Sequence, residues 1–99
     1  MKPQTFSVNN EREFHSLIKN KNFDISKAIV NSILNNLKSK RKNIHILTVK
    51  CLDEDTIFDV TLEKSHFAET LRDNIKFYEK LELYEECDKI NKAINELIK

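Results

Sequence analysis

The sequence contains no glycine, and Pro3 is its only proline. Glycine is the residue that most readily adopts left-handed backbone conformations, and proline presets a common turn angle. Every turn in this chain must therefore be built largely from asparagine, aspartate, serine and lysine. The same absence excludes glycine-rich loops whose backbone amides closely approach a phosphate, so neither a phosphate-cradling loop nor a dinucleotide-binding turn is expected.

Length and charge limit the fold and its partners. With 99 residues and 39% apolar content, the chain can bury one modest core, so we expect a single domain over residues 1–99. Its 17 basic and 16 acidic side chains nearly cancel to a formal net charge of +1. No global field attracts it to a nucleic acid or to a membrane, and no membrane partner is expected.

Cysteine usage and the N-terminus predict a cytoplasmic location. Cys51 and Cys87 are far apart and form no CxxC pair, which is typical of a reducing compartment rather than of a disulfide scaffold. Residues 1–7 contain no apolar signal region, and no stretch is long enough to cross a bilayer. The abundance of Lys, Asn and Ile is typical of an AT-rich genome, such as that of a low-GC bacterium or a phage, and for a phage protein the location is the host cytoplasm.

The N-terminal region predicts a short segment followed by a helix. Residues 1–8 have little pattern and form either a flexible arm or a short edge strand. Asn9 or Asn10 can cap a helix that extends to about Asn20. Its apolar face comprises Phe14, Leu17 and Ile18.

A second helix is predicted from a cap at Asp24 or Ser26 to about Lys40. Its apolar stripe comprises Ile29, Val30, Ile33, Leu34 and Leu37. Basic side chains at its end suit the negative end of the helix dipole.

Two segments rich in β-branched residues, 44–52 and 56–62, predict the strands of a hairpin with its turn at 53–55. Alternation directs one set of side chains from each strand toward the helices. These side chains are Leu47, Val49 and Cys51 in the first strand and Phe58, Val60 and Leu62 in the second.

The last third predicts two helices, from Ser65 to about Lys80 and from about Leu83 to Leu97, with a short connection near Leu81. Their buried faces comprise Phe67, Leu71, Ile75 and Tyr78 in one and Leu83, Cys87, Ile90, Ile94 and Leu97 in the other. Because a two-stranded ribbon is not stable alone, we expect an α+β fold in the order αα-ββ-αα that ends in an antiparallel helical hairpin.

One part of this hairpin has a further pattern. The run Tyr-Glu-Glu-Cys-Asp-Lys-Ile-Asn-Lys-Ala-Ile-Asn-Glu-Leu at 84–97, with Leu71 and Ile75 before it, resembles the UVR motif. That motif is a helical hairpin of nucleotide-excision repair subunits, some chaperone ATPases and kinase activators. The resemblance over 71–97 implies a protein-docking role. The chain departs from the family at Cys87-Asp88, where paired small residues are usual, and at Asn91-Lys92, where Arg-Asp is usual.

Three charged segments are candidate sites. An acidic surface with aromatic residues is expected on the last two helices, and such side chains are favoured at protein interfaces. Its candidate protein-binding residues are Tyr78, Glu82, Tyr84, Glu85, Glu86 and Asp88, with Glu79 beside them. The alternative is that both tyrosines close the edge of the core with their hydroxyls in water.

The second segment is basic. Lys38, Lys40, Arg41 and Lys42, with His45 beyond them, are close enough in sequence to contact phosphates of a nucleic acid. The alternative is a solvated helix end whose cations complement the helix dipole.

The third segment is the acidic turn of the β-hairpin. Its carboxylates, Asp53, Glu54, Asp55, Asp59 and Glu63, could hold a divalent cation or mimic a nucleic-acid backbone for a basic partner. An EF-hand is excluded because its glycine and its terminal glutamate are missing. A solvated polar turn is the alternative that we favour, so no metal site and no cofactor are expected.

Catalytic arrangements are weak. Cys51 or Cys87 could in principle pair with His15, His45 or His66, but both cysteines fall on predicted apolar faces, where a thiol stays protonated. The histidines have neither the spacing nor the neighbouring thiolates of a zinc site. We therefore expect a protein that is not an enzyme.

The sequence thus favours a non-enzymatic protein-interaction module, an adaptor, inhibitor or regulatory subunit of a phage-like type, that docks on a protein partner through its C-terminal hairpin. A homodimer is left open. The alternative function is a small nucleic-acid-binding accessory protein that uses residues 38–42.

Overall fold

The structure, a computed structural model, describes residues 4–20 and 22–98. Its elements are β1 (Gln4–Val8), α1 (Glu11–Lys19), α2 (Phe23–Asn35), β2 (Asn43–Cys51), β3 (Thr56–Glu63), a 3-10 turn (Lys64–His66), α3 (Phe67–Lys80) and α4 (Tyr84–Leu97). The described chain is a small α+β fold of four helices and a three-stranded sheet. The predicted order αα-ββ-αα is wrong at its start, because a strand precedes the first helix pair.

That additional strand, β1, lies at one edge of the sheet and pairs in parallel with β2. Phe6 lies opposite Val49, and Val8 lies opposite Cys51. A parallel pair needs a long crossover connection, which α1 and α2 provide. Of the two alternatives for residues 1–8, the structure shows an edge strand for 4–8, and residues 1–3 lie outside the described residues.

The predicted hairpin is present as β2 and β3, which pair in antiparallel fashion. The predicted inward side chains of β2 are buried, whereas those of β3 are only partly buried. The register shifts between His45 and Leu47, which leaves Ile46 without a partner in β3. Ile46 and Leu47 are therefore neighbours in sequence and yet both buried, because the irregularity interrupts strict alternation.

Two turns contain residues with a left-handed backbone. Asp55 has a φ of 49° in the β2–β3 turn, and Glu82 has a φ of 57° between α3 and α4. Glycine adopts this conformation at little cost, whereas other L-residues pay roughly 1–2 kcal/mol. The composition forces this cost onto Asp55 and Glu82.

Asparagine side chains cap the first two helices. Asn10 caps α1 by accepting a 2.9 Å hydrogen bond from the Glu13 amide, as predicted. The cap of α2 is Asn22, which accepts from the Ile25 amide at 3.2 Å, so the predicted caps at Asp24 or Ser26 are wrong. Each cap satisfies an amide that has no partner inside its helix.

The end of α2 also differs from the prediction. The helix ends at Asn35, with Asn36 as its C-cap, and does not extend to Lys40. The Asn36 side-chain amide donates to the Ser32 carbonyl oxygen at 2.7 Å, and residues 38–42 offer no apolar side chain that could pack a further turn. Leu37, the last residue of the predicted stripe, packs against the core from the turn after the helix. Because helices in proteins depend mainly on packing of an apolar face, nothing beyond Leu37 supports a further turn.

α3 and α4 pack against each other and against α2, which covers β2. The predicted buried face of α3 is confirmed at all of its positions, and Cys87, Ile90 and Ile94 of α4 are buried as predicted. The buried apolar side chains of sheet and helices form one continuous cluster. The α3–α4 hairpin thus has one face in the core and its connecting turn at the surface.

Candidate functional site

The candidate site lies where α3 ends and α4 begins. Glu79 is in the last turn of α3, Glu82 is in the connection, and Glu85, Glu86 and Asp88 lie in the first two turns of α4. All five side chains are exposed or partly exposed. We call these carboxylates, together with Tyr84 and Leu81, the acidic surface.

Two apolar side chains of the acidic surface are open to solvent. Tyr84 is 65% exposed and Leu81 is 47% exposed. The segment 82–86 lines an open depression of about 320 Å³. An adjoining groove of about 230 Å³ shares Leu83 and Glu86 with that depression and extends to Phe23, Lys27 and Asn31 of α2. An exposed tyrosine therefore lies beside a concave surface at the tip of the helical hairpin.

Tyr78, in contrast, belongs to the core. It is 3% exposed, and its ring contacts that of Phe23 edge-to-face with centroids 5.7 Å apart. Burial, reinforced by the negative charge of Glu86 and to a smaller extent by the neighbouring Cys87, raises the pKa of Tyr78 to about 12. Tyr78 also lines the adjoining groove, so only the small exposed part of its side chain is open to a partner, and its direct contact with one stays a prediction. The helical spacing from Leu71 and Ile75 was the signal for its burial.

Few cations neutralise the acidic surface. Lys89 Nζ lies 3.7 Å from Glu86 Oε2, and Lys92 Nζ lies 3.1 Å from Asp88 Oδ2. Solvated pairs of this kind contribute little to stability. Within the described residues, Glu79, Glu82 and Glu85 form no ion pair. Most of the negative charge is thus available to a partner.

The basic run lies in the loop that joins α2 to β2, not at a helix end. Lys38, Lys40, Arg41 and Lys42 are all exposed. Their loop is held to the residue after β3, because the Lys64 amide donates to the Lys42 carbonyl at 2.8 Å and Lys64 Nζ donates to the Ser39 carbonyl. The basic side chains therefore cluster at the end of the sheet where β3 finishes.

His45 does not extend this basic cluster as expected. Its Nε2 lies 2.9 Å from Thr48 Oγ1 and 3.3 Å from Asp59 Oδ1, on the face of the sheet away from the helices. Thr48 also donates to Asp59 at 3.2 Å. Sequence reasoning missed this polar cluster, because it depends on the cross-strand register between β2 and β3.

The acidic residues of the β-hairpin are separated. Asp53, Glu54 and Asp55 occupy the exposed turn, whereas Asp59 faces His45 and Glu63 accepts a hydrogen bond from Ser65. Among residues 4–20 and 22–98, no three His, Cys, Asp or Glu side chains are grouped so that they could hold a metal ion.

Both cysteines are free thiols in the core, Cys51 at 1% and Cys87 at 7% exposed. Burial, with added repulsion from Glu79 and Glu86, raises the pKa of Cys87. Its thiol therefore stays protonated, and a protonated thiol is a poor nucleophile. His15 lies next to Glu11 at 3.4 Å, and His66 lies in the turn before α3.

Comparisons of this chain with protein-family models, with curated proteins and with solved structures find no match. A search of the described helices finds none with the length and apolar character needed to span a membrane. The geometry of the chain itself is thus the basis for a functional proposal.

Proposed function

We propose that the protein is a non-enzymatic interaction module, an adaptor, inhibitor or regulatory subunit, that docks on a protein partner through the acidic surface of its α3–α4 hairpin. The observation that carries the proposal is Tyr84, which is 65% exposed beside carboxylates with few neutralising cations. Tyrosine is enriched in binding hot spots because it offers a large contact area at low conformational cost.

The setting of Tyr84 supports this role. Both helices of the hairpin are anchored by buried residues, so the surface at their connection is held in place before binding, which lowers the entropic cost of association. The unneutralised carboxylates add long-range attraction and orientation for a partner of opposite charge. The UVR-like pattern of 71–97 is consistent with the same use of a helical hairpin. The free thiols support a reducing cytoplasm as the site of action.

The docking proposal is tested with the double variant Tyr84→Ala, Glu85→Lys, compared with wild type in affinity capture from the native cell and mass spectrometry. We expect loss of the captured partner with an unchanged circular dichroism spectrum, because both side chains are exposed. The matched control is Asn95→Ala, Glu96→Lys at the other end of α4, where two exposed residues undergo the same change in charge. Undiminished capture by the Tyr84 variant would refute the docking surface.

A second candidate function uses the loop 38–42 to bind a nucleic-acid backbone. The observation in its favour is that four exposed cations cluster there, and in the described chain none of them forms an ion pair with a carboxylate. Such binding weakens steeply as salt rises. A filter-binding titration at two salt concentrations, with Lys40→Glu, Arg41→Glu as the negative control, tests it. Absence of binding at low salt eliminates this candidate.

A further inference from the structure

β3 forms an open edge of the sheet. The strand order is β1-β2-β3, so β3 pairs with β2 on one side only. Within the described residues, no backbone hydrogen bond from another element reaches residues 56–63 on the other side. An edge strand of this kind presents unpaired N–H and C=O groups that can pair with another strand.

β3 lacks the usual features that prevent pairing of edge strands. It spans Thr56–Glu63 without lysine or proline, and the irregularity of the hairpin lies in β2. Natural sheets block open edges with short strands, bulges, prolines and charged side chains, above all lysine, and the charges of β3 are limited to Asp59 and Glu63. β1, at the opposite edge, has five residues in the part of the chain that the structure describes. The edge formed by β3, which is the longer and more regular of the two, is thus the one available for pairing.

The inward side chains of β3 are incompletely covered. Phe58, Val60 and Leu62 pack against the core but remain partly exposed, whereas their counterparts in β2 are buried. Phe58 contacts Phe14 of α1 edge-to-face at 5.6 Å, so these side chains do lie on the helix-covered side of the sheet. A further strand beside β3 would extend the sheet and cover them.

We propose that this further strand is β3 of a second copy of the chain, paired in antiparallel fashion about a two-fold axis at Val60. A symmetric pair presents the same patch from both copies. Side chains that face the helices in one copy must lie opposite side chains that face the helices in the other copy. The two-fold axis must therefore pass through a pair of opposed residues and cannot pass between two such pairs. With the axis at Asp59, the Asp59 carboxylates of the two copies would lie opposite each other. With the axis at Thr61, Asp59 of one copy would lie opposite Glu63 of the other. The axis at Val60 avoids both repulsions.

In this register Val60 meets Val60 of the second copy, and Phe58 meets its Leu62. Asp59 lies opposite Thr61, and Ile57, which is 66% exposed in the monomer, lies opposite Glu63. The apolar pairs extend the core on the inner face, and no like charges are directly opposed on the outer face. Cross-strand pairs of this type stabilise a sheet.

Charge complementarity supports the same arrangement. In an antiparallel pair, the β2–β3 turn of one copy lies beside the end of β3 in the other. The turn contains Asp53, Glu54 and Asp55, and the basic run Lys38–Lys42 is attached to the end of β3 through Lys64. The Lys42 carbonyl accepts from Lys64 on the β2 side of β3, so the two-fold axis brings an acidic turn to the same end of the sheet as a basic loop twice, with the end of β3 between them. This use of the two charged segments is independent of docking by the acidic surface.

The first test is the mass of the wild-type protein by sedimentation, combined with oxidation of Val60→Cys. We expect a concentration-dependent dimer of twice the 11.7 kDa chain. Val60→Cys should form a covalent dimer, because directly opposed Cα atoms are within about 6 Å, inside the disulfide range. Thr61→Cys and Ile57→Cys are matched controls whose symmetry-related Cα atoms lie beyond about 7 Å, and they should not cross-link.

The second test reverses charges. A turn variant, Asp53→Lys with Glu54→Lys, and a loop variant, Lys40→Glu with Arg41→Glu, alter exposed side chains only. Each variant alone should dimerise about tenfold more weakly or worse, because the lysines of the turn variant then face the basic loop, and the loop variant loses its net positive charge. Mixing the two variants should restore dimers of one copy each, because the new lysines of one variant then face the new glutamates of the other, and the second contact keeps its original charges.

Several results would overturn the proposed dimer. One is a monomer at every concentration up to the solubility limit. A second is cross-linking of Thr61→Cys or Ile57→Cys in place of Val60→Cys. A third is a mixture of the two charge variants that associates as weakly as either variant alone. If Val60→Cys does not fold, Thr61→Cys and the charge variants still decide, because their substitutions are on exposed residues.

Discussion

Ser26 Oγ donates a hydrogen bond to Asn74 Oδ1 at 2.5 Å and so joins α2 to α3. Asn74 in turn donates from its side-chain amide to the Thr70 carbonyl at 2.8 Å, which holds its oxygen toward α2. Ser26 is the buried polar residue of the described core, at 5% exposed. Both residues line a groove of about 240 Å³ between α1, α2 and α3 that sequence reasoning did not find.

We expect Ser26→Ala to lower the free energy of unfolding by about 1 kcal/mol, because it removes this hydrogen bond and leaves Asn74 Oδ1 without its partner. Urea denaturation measures the effect. In a double-mutant cycle with Asn74→Ala, the two losses should be less than additive. Ser16→Ala on the exposed side of α1 is the matched control and should change stability by less than about 0.5 kcal/mol. Equal losses from Ser16→Ala and Ser26→Ala would contradict the assignment.

Glu82→Gly should raise stability by up to about 1 kcal/mol, because glycine relieves the left-handed backbone strain and only part of the gain is offset by greater freedom of the unfolded chain. Glu79→Gly, an identical replacement in the last turn of α3, should instead lower stability by up to about 1 kcal/mol. Thermal unfolding of both variants checks the opposite signs. A loss of stability in Glu82→Gly would show that the turn does not constrain the backbone as described.

Stability should fall at alkaline pH through Tyr78. The pKa of this phenol is raised in the folded state from 10.0 to about 12, so folding disfavours the ionised form. Its contribution is therefore fully present below pH 10, the unfolded pKa, and is lost as pH rises through about 12. The loss by pH 12 is on the order of 2 kcal/mol.

Urea unfolding between pH 8 and 12 measures this loss of stability. Tyr78→Phe is the comparison, and its free energy of unfolding should fall less at alkaline pH. The chain has two tyrosines, so phenolate absorbance in a Tyr84→Phe variant reports Tyr78 alone. Ionisation of that phenol near pH 10 in the native protein would be the contrary result.

The thiols should resist alkylation in the native protein, because Cys51 and Cys87 are buried and the pKa of Cys87 is raised by that burial. We expect iodoacetamide to react at least about tenfold faster in urea than in buffer, since the native thiols are shielded. Single variants Cys51→Ala and Cys87→Ala, followed by mass spectrometry, assign the remaining thiol. Rapid native labelling of Cys87 would place it at the surface.

Local patterns in the sequence were sufficient to predict that the four helices and the hairpin exist, although they did not place both ends of α2. The helical spacing of Phe67, Leu71, Ile75 and Tyr78 predicted the buried face of α3, because burial of an apolar stripe is what stabilises such a helix. The same spacing also identified Tyr78 as a core residue, although its neighbours in sequence had suggested a docking role. The resemblance to a UVR motif and the choice of partner remain predictions.

Long-range pairing was not accessible from local pattern. β1 is a strand because it pairs with residues 47–51, a contact between distant segments that five residues cannot encode by themselves. The end of α2 was placed too late, because the loop 36–42 must turn the chain into β2 and its cations favour solvent over a further helical turn.

The sequence by itself determined which faces of α3, α4 and the hairpin are apolar, since these depend on the spacing of neighbouring side chains. Its lack of glycine determined that a left-handed turn position falls on another residue, but not on which one, and the α3–α4 turn uses Glu82 instead of the expected Asn, Asp, Ser or Lys. Only the tertiary structure decided that Tyr84 is exposed while Tyr78 is buried, that β3 is an open edge, and that the basic loop lies at the end of that edge. These properties depend on which distant surfaces pack together, and the free energy of packing belongs to the whole fold.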